Sequence, residues 1–418
     1  MRGLVVVALL SLAAAGIVGF VSRAPAELRT ARPNVPERIE TAQADPDQPF
    51  RDVDVARHGA YRGPIYLSLA LGFVVQIALL LALARGPFHD FVSRVAGNWF
   101  AGAALAGAGL GIALWLVALP LSYVRGFVMQ HAWGLSTQNT LGWLSDQLKG
   151  AGISVVLSAG AAVIFIGIQR WQPRWWWLIG AAAFSVLSGL ITFLFPVVIA
   201  PLFNRFEPVP EPLATRVEAL AERAGVVIDD VLVADASRRT RAENAYVAGL
   251  GASRRVVLDD NLLQGTDEAQ TMFVVAHELG HEAENHVLKF VGLSAVSLFL
   301  GFGVLALLSQ WAPLWQMGGV EGPSDIGALP LVVLIALVLG TLTLPLTNHV
   351  SRNFEARADE IALDLTKDPD PAVGAFVRLA YSNIADLRPH PLAVALLYTH
   401  PPIAERIVTA MAVGQQAP

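Results

Sequence analysis

Seven long uncharged apolar runs constrain the fold of this chain more than any other feature of its sequence. They occupy residues 4–22, 65–84, 99–123, 152–168, 176–199, 290–309 and 328–346. A helix needs about 20 apolar residues to cross the hydrocarbon core of a bilayer. Each run is near that length, although the run at 152–168 is short and predicts a weaker span. The sequence therefore predicts an α-helical membrane protein with about seven transmembrane helices in contact with the lipid bilayer.

Composition excludes some kinds of site and partner. Charged residues make up 15% of the chain, whereas soluble domains contain about 25%, so a soluble enzyme is not expected. The chain has no cysteine and can form neither disulfides nor thiolate metal sites. Its net charge is −5 and no basic cluster stands out, which argues against a nucleic-acid partner.

The polar residues lie between the apolar runs and divide the chain into four predicted regions. These are a membrane region with five spans and a polar loop at 23–63 (1–200), a catalytic insert (201–288), the sixth and seventh spans (289–346) and a helical tail (347–418). In the insert, apolar residues at helical spacing predict helices, and alternating or β-branched runs predict strands. The expected elements are helices over 214–225 and 267–287 and strands over 231–236 and 254–260.

The insert follows the fifth span and the tail follows the seventh, so both emerge on the same side of the membrane and can form one site. Arginine and lysine are slightly enriched on that side, which favours a cytoplasmic site in the cell membrane. The first run is either a signal peptide or a span. We expect a retained span, because no small-residue cleavage site follows it. Cleavage would place the shared face outside the cytoplasm.

The strongest chemical signal is the segment His277-Glu278-Leu279-Gly280-His281, an H-E-x-x-H pattern. In a helix, a spacing of four residues puts both imidazoles on one face, where they can share one Zn²⁺ ion. Glu278 then lies beside the metal and can accept a proton from water without being a ligand. The motif predicts a zinc site in a mostly α-helical, zincin-like catalytic domain that contains a small β-sheet.

A catalytic zinc site has three protein ligands and one open position, so a further His, Asp or Glu is required. His286 follows the motif by five residues, and we expect it to point away from the shared face. Glu355 in the tail is the preferred third ligand. Asp359 lies one helical turn later and could hold a ligand imidazole by its second nitrogen. On spacing alone, Glu360 and Asp364 compete with Glu355.

Together these motifs resemble a known family. HELGHEAENH (277–286) followed by SRNFEARAD (351–359) is similar to the integral-membrane zinc endopeptidases related to the type I CAAX prenyl protease. The similarity extends over most of the chain from residue 60 to 410. It includes GFVMQHAWGLSTQNTLGWLSDQLKG (126–150), FPVVIAPLFNRFEPVPE (195–211), ASRRTRAENAYVAGLGASRRVVLDDNLL (236–263) and YTHPPIAER (398–406).

The resemblance implies a role for each residue of the metal site. His277, His281 and Glu355 would bind one zinc ion per chain. Glu278 would be the general base, and Asp359 would hold a ligand histidine. The family's seven spans enclose a water-filled chamber, which would let an apolar chain carry out a hydrolytic reaction.

The resemblance also implies where substrate binds. Asn244, Ala245 and Tyr246 would lie on an edge strand, and a peptide or protein substrate would bind there as an added strand through main-chain hydrogen bonds. His400 would stabilise the oxyanion that develops during hydrolysis. Arg406 would support that region of the substrate site.

Three positions depart from the family pattern. Glu282 replaces an aromatic residue after the motif, His390 stands in place of an upstream acidic residue, and Thr399 replaces serine. The first two changes could alter the pocket while leaving the metal chemistry intact. The sequence therefore predicts a zinc endopeptidase that cleaves membrane-associated or C-terminal CAAX-like substrates. The alternatives are a bacterial quality-control or regulatory membrane protease without prenyl specificity, and a non-catalytic membrane scaffold.

Overall fold

The computed structural model describes residues 2–23, 50–86, 88–95, 97–249, 251, 254–264 and 267–416. Most of the predicted polar loop, residues 24–49, lies outside the described residues. Seven helical segments in the described part are long and apolar enough to cross a membrane, which confirms the predicted fold class. They are Arg2–Val21, Asp52–Ala84, Trp99–Ala132, Thr140–Trp171, Trp176–Leu202, His286–Leu308 and Ile326–Thr366.

The fourth span is longer than its apolar run indicated. The run at 152–168 lies inside a helix of 32 residues, Thr140–Trp171, because the polar stretch before the run is helical too. The Asn139 side chain caps this helix by accepting a hydrogen bond from the Gly142 N–H at 2.8 Å. A Cβ at Gly107 of the third span would clash with the Ser158 backbone, so a small residue permits the close packing of these helices. The expectation of a weak span is therefore wrong.

The insert contains a four-stranded sheet with the order β1-β2-β4-β3. The strands are β1 Phe206–Pro208, β2 Asp230–Ala234, β3 Ala245–Ala248 and β4 Arg255–Asp259. β2 and β4 are parallel, whereas β1 and β3 run antiparallel at the two edges. The strands predicted over 231–236 and 254–260 correspond to β2 and β4. The residue pattern did not predict β1, which is too short to show an alternation.

The insert helix Glu268–Ala283 packs on β3, and the tail packs on that helix. The shorter helices among the described residues are Phe88–Val95, Leu213–Arg223, Asp260–Leu263, Glu268–Ala283, Ala312–Gln316, Pro369–Ser382, Pro391–Leu397 and Ile403–Gln416. The helix Glu268–Ala283, called the motif helix below, buries its apolar face against the tail. The Phe273 and Phe376 rings meet edge to face at 5.3 Å within this core.

Two boundaries differ from the predicted elements. The helix predicted over 267–287 ends at Ala283, because Asn285 adopts a left-handed conformation with φ of 53° and a new helix begins at His286. Asparagine tolerates this conformation better than most residues. The seventh span and the first tail segment form one continuous helix, Leu329–Thr366, called the long helix below. The span therefore extends directly into the catalytic domain.

Candidate metal centre

The motif helix and the long helix bring three metal-binding side chains together. His277 Nε2 lies 3.2 Å from His281 Nε2 and 3.2 Å from Glu355 Oε2. His281 Nε2 lies 3.4 Å from Glu355 Oε1. The helices approach closely because Gly280 has no side chain: a Cβ there would lie 3.2 Å from Ala358 Cα. The predicted residues thus form a cluster that could hold a metal ion.

The spacing of these atoms fits a tetrahedral zinc ion. Ligand bonds of 2.0–2.1 Å at tetrahedral angles place neighbouring ligand atoms about 3.3 Å apart. Glu355 Oε2 is buried and has no hydrogen-bond partner among the described residues. A buried carboxylate oxygen without a hydrogen-bond donor is unusual, and a cation would satisfy it. Two imidazoles and one carboxylate are also a known donor set of catalytic zinc sites.

Asp359 and Arg406 lie behind the first histidine. Asp359 Oδ1 is 2.8 Å from His277 Nδ1, so His277 can present Nε2 to the metal position. Arg406 donates to Asp359 Oδ1 at 2.6 Å and Oδ2 at 2.8 Å. Burial lowers the pKa of His277, but the neighbouring carboxylates of Asp359 and Glu355 outweigh it and raise the pKa to about 9. The two carboxylates therefore favour a positive charge at His277.

Glu278 lines a cleft of about 480 Å³ beside these residues. Burial raises the pKa of its carboxyl group, while His277 and His281 act in the opposite direction. A carboxylate with a raised pKa is a better proton acceptor than an ordinary glutamate. The position and the basicity of Glu278 both suit the predicted general base.

His286 contacts a ligand residue, which the spacing did not indicate. Its Nδ1 lies 2.9 Å from His281 Nδ1, and its ring stacks on Phe354 at 4.3 Å. The left-handed conformation of Asn285 separates the motif helix from the helix that begins at His286, and at that position His286 contacts the motif. His286 does not join the cluster of His277, His281 and Glu355; it contacts His281 through Nδ1, whereas His281 Nε2 faces the cluster. A turn-forming asparagine directly before a histidine was the available signal.

The predicted substrate strand is an edge strand beside the cleft. Asn244 and Ala245 line the cleft, and β3 pairs with β4 alone among the described strands. The start of β3 is anchored to the tail: Arg378 forms a two-pronged ion pair with Glu243 at 2.7 and 2.8 Å. The Asn383 side chain accepts a hydrogen bond from the Glu243 N–H at 2.9 Å. This anchoring fixes the strand relative to the metal cluster.

The tail contributes His400 to the same cleft. His400 Nε2 lies 3.3 Å from Glu355 Oε1, and its ring remains 57% exposed. Thr399, which replaces the family's serine, holds the ring through a 2.9 Å hydrogen bond between Oγ1 and Nδ1. Arg406 also lines the cleft, and its guanidinium is paired with Asp359 behind His277.

The two other departures lie outside the residues that line the cleft. Glu282 is buried and forms a 2.6 Å ion pair with Arg254, which joins the motif helix to the sheet. His390 caps the helix Pro391–Leu397 by accepting from the Leu392 N–H at 3.2 Å. Neither side chain contributes directly to the cleft wall.

Comparison with known proteins identifies the architecture. The sequence model of peptidase family M48 matches residues 210–413, and that of the CAAX prenyl protease N-terminal region, described as five membrane helices, matches residues 65–205. The chain is 31% identical over 382 residues to the uncharacterized metalloprotease YhfN of Bacillus subtilis, with 89% of both chains covered. It is 33% identical over 306 residues to the CAAX prenyl protease 1 homolog of Arabidopsis thaliana, with 71% of both covered.

The fold has also been observed in a crystal structure. Ste24p of S. mikatae superimposes with a TM-score of 0.74 at 23% identity, covering 98% of this chain and 99% of that one. Fold and sequence together define a multi-pass membrane metalloendopeptidase. The chain belongs to peptidase family M48 and, within it, to the membrane metalloproteases of the CAAX prenyl protease type. The resemblance and the enzyme class predicted from the sequence are therefore confirmed.

Proposed function

We propose that this protein is a zinc endopeptidase that hydrolyses extended peptide segments of membrane-associated substrates, including C-terminal CAAX-like segments. The observation that carries the proposal is the convergence of His277, His281 and Glu355 on one point. The two histidine Nε2 atoms lie 3.2 Å apart, and each lies 3.2 or 3.4 Å from one oxygen of the Glu355 carboxylate, which is the spacing of ligand atoms around a tetrahedral zinc ion.

The proposed mechanism assigns the proton transfers to Glu278. Zinc bound to His277, His281 and Glu355 would supply Lewis acidity, which polarises a carbonyl group and makes water acidic near neutral pH. Glu278 takes a proton from the attacking water and delivers it to the leaving amine, so that one water molecule is consumed per bond broken. His400 donates a hydrogen bond to the developing oxyanion, a contribution typically worth about 3 kcal/mol.

The register of the sheet supports substrate binding on β3. The Asp259 N–H donates to the Asn244 carbonyl at 3.0 Å, so the main-chain groups of Asn244 face β4. In an antiparallel ladder the hydrogen-bonded residues alternate. The main-chain groups of Ala245 and Val247 therefore face the open edge, where a substrate strand would pair with them.

The walls of the cleft favour apolar substrate side chains. Its lining includes Leu69, Leu262, Phe273, Leu379 and Leu397, which would bury aliphatic residues next to the scissile bond. Aliphatic positions occur both in CAAX-like termini and in misfolded membrane segments. A quality-control or regulatory protease without prenyl specificity is thus the second candidate. Its substrates would carry the same apolar side chains without a lipid.

Glu278→Gln tests the proposal, with Glu284→Gln as the control. The control removes one carboxylate near the same helix, where Glu284 forms exposed ion pairs with Lys289 and Arg357. Glu278→Gln should keep one zinc per chain but lose peptide hydrolysis, whereas Glu284→Gln should keep both. Hydrolysis that survives in Glu278→Gln would refute the assigned base.

The Glu278→Gln variant can also distinguish the two candidate classes of substrate. Membranes that contain Glu278→Gln protein should accumulate the uncleaved substrates, and quantitative proteomics of their termini should separate the two candidates. Accumulation of prenylated C-terminal segments favours the CAAX-like reaction. Accumulation of unmodified membrane proteins favours the quality-control reaction.

A further inference from the structure

A second cavity of about 280 Å³ lies between the second and third spans. Its lining is mainly apolar but includes four polar residues, Ser68, Gln76, Ser122 and Arg125. Leu69 lines both this cavity and the catalytic cleft. The two spaces therefore adjoin one another along the second span.

Arg125 is a partly buried cation without a carboxylate partner in the described part of the chain. Its guanidinium forms one long hydrogen bond, 3.5 Å from Nη1 to Ser68 Oγ. Four other shielded arginines are each paired with a carboxylate within 2.7 Å: Arg239 with Asp146, Arg254 with Glu282, Arg378 with Glu243 and Arg406 with Asp359. Arg62 and Arg352 instead each donate two hydrogen bonds of at most 3.0 Å to backbone carbonyls.

The backbone around Arg125 is also unusual. The third span changes from an α-helix to a π-helix over Val124–Val128, and such bulges occur frequently at functional sites. A charged residue on a membrane-spanning helix is costly and typically marks a ligand or ion pathway. Because the cavity beside Arg125 provides hydroxyl and amide groups but no counter-ion, it suits an anionic ligand.

We propose that Arg125 binds the C-terminal carboxylate of a peptide substrate whose chain extends from the catalytic cleft into this cavity. The proposal rests on the peptidase function proposed above. A guanidinium suits a carboxylate geometrically and repels the ammonium group of a chain N-terminus. Leu69 lines both spaces, so a peptide that passes this side chain would extend from the cleft into the cavity.

A pair of peptides tests this assignment in phosphatidylcholine nanodiscs. The peptides have the same sequence and differ in ending with a free acid or an amide. Wild-type protein should prefer the acid by about ten- to hundredfold through KM, because hydrogen bonds to charged groups have that value. Arg125→Gln should cleave both peptides with the KM of the amide, and Arg125→Lys should keep part of the preference. Arg174→Gln removes an exposed arginine beside Trp175 and should leave the preference intact.

Four results would overturn the assignment. Equal cleavage of acid and amide by wild-type protein would do so while leaving the peptidase function in place. An equal loss for both peptides in Arg125→Gln would give Arg125 a structural role. Arg125-dependent binding of phosphatidylglycerol, without any acid preference, would assign the cation to a lipid headgroup. Absence of any Glu278-dependent cleavage would refute the peptidase function, and this inference with it.

Discussion

Replacing Asp359 with asparagine separates two interactions that depend on one carboxylate. Asp359 contacts His277 Nδ1 at 2.8 Å and binds Arg406 through both oxygens. The side chains of Asp359 and Arg406 are only 8% and 10% exposed. Asparagine keeps the volume of aspartate but removes its charge. The histidine therefore loses its anionic partner, and the guanidinium loses its counter-ion.

The two losses have different magnitudes and different readouts. Removing the carboxylate that orients a ligand histidine lowers metal affinity by 10- to 100-fold, or about 1.4–2.7 kcal/mol. Leaving Arg406 buried and unpaired lowers folding stability by about 3–5 kcal/mol. The second variant, Asp359→Asn with Arg406→Met, removes the unpaired cation as well. Methionine retains an apolar stem near Phe376, over whose ring Arg406 Cζ lies at 4.3 Å.

The assay measures both quantities on the same purified protein. Zinc affinity is measured by competition with a chromophoric chelator. Stability is measured by thermal unfolding of the metal-free protein, because bound metal is itself stabilising. The double variant should regain most of the stability but keep the weak zinc affinity. Unchanged zinc affinity in Asp359→Asn would refute the role of Asp359 at His277, and a double variant no more stable than the single one would refute the cost assigned to the unpaired Arg406.

Three further predictions address other parts of the molecule. His286→Phe keeps the stacking on Phe354 but removes the nitrogen next to His281, so zinc should dissociate about 10- to 100-fold faster in chelator competition. An unchanged dissociation rate would show that His286 does not hold His281 in place. Burial raises the pKa of Asp259 to about 7 from 3.8, and its acidic neighbour adds to this shift. The folded state thus binds the proton more tightly than the unfolded state, and the stability of the wild type should fall as pH rises from about 4 to 7. Across this window Asp259→Asn should become more stable relative to the wild type by up to about 4 kcal/mol. A difference in melting temperature between the two proteins that does not depend on pH would exclude the titration of Asp259. The chain has no cysteine, so single cysteines can report the orientation of the protein in intact cells. If the catalytic face is cytoplasmic, Glu218→Cys should react with an impermeant maleimide only after permeabilisation, whereas Arg174→Cys should react before it. The reverse pattern would place the catalytic face outside.

The sequence predicted the elements that have strong local causes. Apolar runs near 20 residues determine spans because backbone polar groups must be paired inside lipid, and all seven were identified. The H-E-x-x-H spacing also predicted that His277 and His281 share a helix face, which their 3.2 Å Nε2 separation shows. These features depend on periodicity within a single helix.

The features that the sequence did not predict depend on contacts between distant segments. His286 contacts His281 from the start of a new helix, which the left-handed Asn285 separates from the motif helix. Arg406 lies behind Asp359 because the last helix packs on Phe376. Spacing alone could not distinguish Glu355 from Glu360, whereas packing buries the first and exposes the second, which pairs with Arg357. Residue patterns define helix faces, but the choice among acidic residues depends on which face meets the motif helix.

The continuity of the long helix has a consequence for the depth of the site. The seventh apolar run ends at residue 346 and Glu355 lies nine residues further along the same helix. At 1.5 Å per residue this distance is at most about 14 Å, so the metal cluster lies close to the end of the hydrocarbon region. Because one continuous helix carries both the span and Glu355, the position of the span limits the depth of the cluster. A peptide lying at the membrane surface would meet the cluster without leaving the interface, which supports membrane-associated substrates for this enzyme.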